Sequence, residues 1–319
     1  MGLPEQERAL LALVFDPDAR AAFRADPDAA LAALGVPPAD RAEFKGLSLA
    51  GLEVDARDRE LLVLARLAAS FPLTLSALSA FPAGLDRARA LAGPAHFARP
   101  VDERPVHFGE GLRRAVETLD GPGQGERSLL RALAQWESAL AAIAASARRE
   151  ATAGTLGAEP PPGEPLADWR DRPLALAPHV TLARFPVSLA ALEKTLVPCS
   201  RAELWSRLAR APLPRTRLKE ALAGQGEGRL VVGRAVVLRA SPTDAEVAVR
   251  TLEVAPGFAA FLGRLDGTLS AAALLHQFTL AGAQGKVLEG VEAGLLRLVG
   301  ERVLVARPPA AHARGPGVP

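Results

Sequence analysis

The hydrophobic pattern changes at residues 151–165, and this break limits the chain's folding options more than any other feature. The stretch reads ATAGTLGAEPPPGEP. Pro160, Pro161 and Pro162 hold an extended backbone, while Gly154, Gly157 and Gly163 loosen the rest, which is the composition of a linker. Before it, no segment alternates apolar and polar residues with the period of a strand. After it, helical and strand periods are mixed. The 319 residues suffice for two domains. The sequence therefore predicts a mainly helical α+β protein. Residues 1–150 form an all-α domain, 151–165 a linker, 166–307 an α+β domain and 308–319 a flexible tail.

Helix punctuation supports the first domain. Asp16-Pro17 and Asp26-Pro27 each offer an N-cap acceptor followed by a proline, whose missing N–H costs nothing at the first helical position. Gly35 supplies a stop. Asp55 is expected to cap a helix running to Ala69, and Pro72 and Pro82 to open two short ones. From Glu126 onward, Leu129, Leu133, Trp136, Leu140 and Ile143 make one apolar stripe on the longest helix. The apolar run 61–81 approaches membrane-spanning length, but Arg66 and Pro72 interrupt it and Ser70, Thr74, Ser76 and Ser79 dilute it. Two core helices are expected there rather than a span. No basic region precedes the first apolar run, 9–15, so the chain reads as cytoplasmic.

In the second domain, residues 174–185 read as one or two short strands broken at Pro178. Helices are expected at 188–196 and 200–210, the latter with the capping-box spacing of Ser200 and Glu203. A glycine-rich turn at 224–228 leads into a β-hairpin, with strands 230–239 and 246–254 around the turn 241–244. Helices at 256–265, 270–278 and 284–299 follow, with a turn at Asp266-Gly267, and a strand at 302–306 closes a winged-helix-like unit.

Few side chains offer chemistry. The single cysteine, Cys199, excludes a disulfide framework, and no histidine stands near it in sequence to make a catalytic dyad. His96 and His107 share a predicted loop with Asp102, Glu103 and Glu110, but the spacing fits no metal motif. His179 and His276 are isolated. The 224–228 glycines precede a strand, whereas phosphate binding requires a helix N-terminus. On the last helix, Lys286 and Arg297 are balanced by Glu289 and Glu292, and the whole chain carries a formal charge of only +2. Neither supports a grip on nucleic acid. No catalytic residue, metal or cofactor is expected. The hairpin edge remains: Val247, Val249 and Thr251 on its second strand, opposed by Val287, Val291 and Leu295 on the last helix, suit an extended peptide added as a further strand. Each of the six also reads as an ordinary core side chain.

Residues 229–305 resemble the PqqD-like peptide-recognition domain of ribosomal-peptide maturation systems. The likeness lies in the valine-rich hairpin 230–254, the segment Phe261-Leu262-Gly263-Arg264-Leu265-Asp266-Gly267-Thr268-Leu269, and a terminal helix ending in a short strand. The resemblance implies that the leader of a precursor peptide binds between the third strand and the third helix. Two clear strands precede the helices here where the family has three; residues 174–185 are the candidate for the other.

The rest of the chain is similar to the partner subunit of multinuclear non-haem iron oxidases. That likeness is carried by 29–36 (AALAALGV), Phe71-Pro72-Leu73-Thr74, His107-Phe108-Gly109 and Leu176-Ala177-Pro178-His179-Val180-Thr181-Leu182. It implies a non-catalytic accessory protein that docks the oxidase subunit through its helical domain and residues 174–196, and presents the precursor peptide to it. Two other readings stand beside it. Residues 26–35 are faintly similar to the small helical subunit of extradiol dioxygenases, and the C-terminal helices read as a winged-helix transcription regulator.

Overall fold

Aspartate followed by proline opens two successive helices, as the sequence predicts. Helix α1 (Leu3–Phe15) ends at Asp16, whose carboxylate accepts from the N–H groups of Asp18 and Ala19 to cap α2 (Pro17–Ala25). Asp26 caps α3 (Pro27–Ala33) through the Ala29 N–H, and Gly35 follows in the left-handed conformation. After α4 (Arg41–Lys45), the long helix α5 (Leu49–Ser70) starts earlier than expected. Ser48 caps it, and Asp55 lies inside it, paired with Arg59 one turn on. Pro72 opens α6 (Pro72–Ser79) as expected, whereas α7 (Gly84–Ala90) begins beyond Pro82. Then come α8 (Pro94–Phe97), α9 (Arg104–Glu117) and α10 (Gln124–Thr152), the longest, followed after two strands by α11 (Leu189–Leu196), α12 (Leu204–Arg210) and α13 (Arg215–Ala223).

The computed structural model describes residues 3–97, 99–158, 168–223, 229–241, 243, 245–254, 262, 265–280, 282 and 284–306. The expected tail, the proline-rich part of the linker and the glycine turn at 224–228 lie outside the described residues. So do most of the helix expected at 256–265 and two of the four residues of the turn expected at 241–244. Packing divides the chain into two units, one within Met1–Ala142 and Ala190–Gly224, the other within Ile143–Leu189 and Gln225–Pro319. The sequence reading drew one boundary at 151–165. Instead, α10 is shared between the units, and residues 190–223 pack with the N-terminal helices.

Helix α12 packs against α5 and α6, and three further contacts tie residues 213–215 to the same unit. Arg215 at the start of α13 pairs with the buried carboxylate of Glu126 in α10 at 2.5 Å, and its guanidinium lies over the Phe81 ring. The Leu213 N–H donates to Ser79 Oγ. At the centre of this unit, all eight residues of α6 are buried. Close approach there requires glycine: a Cβ on Gly84 would fall 2.0 Å from the Leu78 carbonyl oxygen, and one on Gly109 would fall 2.6 Å from Ser138 Oγ. Among the described residues no single helix is long and apolar enough to cross a membrane. The pair α5–α6 passes such a test jointly but bends by 108° between its members.

The second unit holds two antiparallel sheets of three described strands. One is ordered β2 (Val180–Phe185), β3 (Arg229–Arg239), β4 (Glu246–Val254). The other places β1 (Pro173–Leu176) between β5 (Asp266–Ser270) and β6 (Leu304–Ala306). Residues 174–185 are thus two strands, broken at Ala177-Pro178-His179, and β2 supplies the third strand beside the hairpin. The expected turn at Asp266-Gly267 is part of a strand. Gly267 has a positive φ there, and β5 pairs with β1 in an irregular register. Helices α14 (Ala271–Leu280) and α15 (Lys286–Gly300) pack on the first sheet through Ala271, Leu274, Leu295 and Leu298.

Helix α6 begins without a side-chain cap of its own. Glu137 of α10 serves instead: its two carboxylate oxygens accept from the Leu73 and Thr74 N–H groups, each at 2.9 Å. Burial raises the Glu137 pKa from 4.5 to about 7, against the opposing pull of those donors. The folded state therefore binds this proton more tightly than the unfolded state does. The stability gained is full below the unfolded pKa and is lost as pH rises through about 7. In Glu137→Gln the carbonyl oxygen still accepts while the titration is gone. Relative to that variant, the wild-type melting temperature should fall between about pH 5 and about pH 8, by the equivalent of about 3 kcal/mol. Parallel melting profiles would contradict the burial of an ionisable carboxyl.

Candidate functional site

Strand β3 is apolar along nearly its whole length because both its faces are covered. Leu230 and Val232 point into a core with Trp169, Leu174, α14 and α15. Ala235 and Val237, of opposite parity, pack against Ala147 and Ala151 at the end of α10. Pairing carries this division onto β4. Leu252 and Val254 lie opposite Val232 and Leu230 and share the α15 side, while Val247 and Val249 lie opposite Val237 and Ala235 and share the α10 side.

The six residues expected to line a peptide groove therefore do not form one surface. Val247 packs into the cluster at the end of α10. Val249 and Thr251 are exposed on that same side of the sheet, away from α15. On α15, Val287 is 62% exposed, Val291 packs on the core and Leu295 is fully buried within it. A shift of one residue along a strand exchanges its faces, and the expectation chose the wrong parity on β4. The α15-facing set is Ala248, Arg250, Leu252 and Val254.

A cavity of about 370 Å³ lies where that face meets the end of α15. Val232, Leu252 and Val303 form apolar walls, and Arg234, Arg250, Arg297 and Glu301 bring the charge. Of the six expected residues, Thr251 alone borders it. Arg234 is 8% exposed, and its Nη1 donates to the Glu301 carbonyl at 2.9 Å. It thereby places a cation at the C-terminal, negative end of the α15 dipole. Beyond that end Arg302 adopts a left-handed conformation, with φ of 54°. The Val303 N–H reaches back to the Leu298 carbonyl and the Arg302 N–H to that of Val299, a Schellman closure that turns Val303 inward beside the cavity.

The histidines and the cysteine singled out in the sequence do not line this cavity. His96 and His107 do not share a loop: they sit on α8 and α9. His96 is buried edge-on to Phe97 and Phe108, and burial, followed by the charges of Arg104 and His107, lowers its pKa to about 4. It is therefore neutral at physiological pH. His179, at the corner between β1 and β2, has a φ of 57° and bonds through Nε2 to Glu150 at 3.1 Å. Cys199 is half-buried, and the nearby helix starts only at Leu204. Ser200 Oγ bonds to the Glu203 carboxylate rather than capping that helix. His276 is exposed on α14. Among the described residues no group of three or more His, Cys, Asp or Glu side chains is placed to hold a metal ion.

No family model, curated protein or solved structure matches the chain.

The opposite roles of the two faces are measurable. Leu295→Ala should cost about 2–5 kcal/mol in urea unfolding, and Val249→Thr should stay within about 0.5 kcal/mol of wild type. Equal losses would contradict the face assignment.

Proposed function

We propose that this protein is a non-catalytic partner that captures a ribosomally made precursor peptide and presents it to a separate multinuclear non-haem iron oxidase. One observation carries the reading. Strand β4 is an outer strand of the antiparallel sheet of three described strands, is followed in sequence by α14 and α15, and meets α15 across an open cavity. The resemblance to peptide-recognition domains implies binding between a third strand and a third helix. We take those elements to be β4 and α15, and read the second unit in finer detail as winged-helix-like.

An extended peptide added to β4 would satisfy backbone groups along that edge and direct alternate side chains toward α15. Affinity would come from the main chain, and register from the cavity. The helical unit would dock the oxidase, in the cytoplasm where the new peptide is available. The contribution to rate is effective concentration. Once the leader is held, modification of the rest of the peptide becomes nearly intramolecular, so the partner needs neither a nucleophile nor a metal of its own.

The test is co-expression of the tagged chain with an iron-oxidase gene and a short precursor gene found beside its own. Both products should be retained on the tag, and the isolated chain should carry no stoichiometric iron. Absence of such neighbours, failure to retain either product, or iron bound by the chain alone would contradict the proposal.

A further inference from the structure

Arg234 and Arg250 are directly opposed partners in the β3–β4 ladder, on the face turned toward α15. Like charges in that position repel and destabilise a sheet. Arg297 brings a third guanidinium to the same cavity, and Glu301 is the one carboxylate among its described lining residues. Arg234 is held in place through its bond to the Glu301 carbonyl, while Arg250 and Arg297 are exposed. The cavity is thus a cationic recess with apolar walls beside β4, an outer strand among the described residues. Its charge calls for an anion that arrives with whatever covers that edge.

We propose that the recess reads an aspartate or glutamate side chain on the extended peptide that pairs with β4. This rests on the peptide-docking reading above and narrows it to an acidic peptide. A strand added outside β4 places every second side chain on the face of Arg250 and Leu252, and the residue opposite Arg250 stands about 5 Å from it, Cβ to Cβ. A carboxylate there reaches guanidinium groups whose planar forks suit bidentate pairing. It also offsets the charge of Arg250, which stands beside Arg234 in the ladder.

The full-length chain is used to select binders from a displayed library of random twelve-residue peptides. The selection is repeated with Arg250→Glu/Arg297→Glu and with the milder Arg250→Gln/Arg297→Gln, each checked for wild-type circular dichroism. Wild type should enrich peptides with an acidic residue at one fixed position. Replacing that residue by its amide should weaken binding about ten- to hundredfold. Both variants should lose the acidic preference, and added salt should weaken the wild-type complex. Enriched peptides with no acidic position, bound equally by the variants, would overturn the acidic-peptide inference and leave strand capture standing. No enriched peptide at all would overturn both. Tight binding of a labelled duplex DNA, lost in the variants, would overturn the inference in favour of phosphate recognition.

Discussion

Burial of β3 on both faces is the constraint on which the candidate site depends. Strand β3 is covered by the end of α10 on one side and by α14 and α15 on the other, and it is also the central strand of its sheet. With β2 on one flank and β4 on the other, one outer margin of the described sheet runs along Glu246–Val254. The same division sets which β4 side chains meet α15. Leu252 and Val254 anchor the strand to the core, and Arg250 continues that row to the cavity. The recess is thus a consequence of how the strand is held.

The C-terminus of α15 completes the site from the other direction. Its carbonyls carry partial negative charge, and Arg234 answers part of it from the middle strand. The left-handed Arg302 then sends the chain back so that Val303 walls the cavity and Leu304–Ala306 pairs with β1. Helix end, central strand and second sheet are linked through this corner.

Much of this was legible in the sequence. Asp16, Asp26, Gly35 and Pro72 act locally, and their local rules hold. The hairpin and the last helix were readable from β-branched runs and helical spacing. Face assignment on β4 was not. Along this strand the covered side changes from the α10 end, at Val247, to the α15 side, at Leu252 and Val254, so neither parity is consistently apolar. The Arg234–Arg250 pair was equally hidden, because only the register brings the two together. Glu137 gave no signal either: its partners are 63 and 64 residues away in sequence, and on a helical pattern it reads as a solvated acid. Residues 190–223 looked continuous with the strands that follow. Their attachment to the first unit rests on the packing of α12 against α5 and α6 and on Arg215 and Leu213, long-range contacts that no periodicity reveals.

In the proposed complex, the outer margin of β4 takes up a peptide backbone. Amide hydrogen exchange on the protein with and without its co-expressed precursor tests this most directly. Alternate amides of Glu246–Val254, those not bonded to β3, should exchange markedly more slowly in the complex, while β2 stays unchanged. Protection confined to other segments, with β4 exchanging as in the free protein, would contradict it.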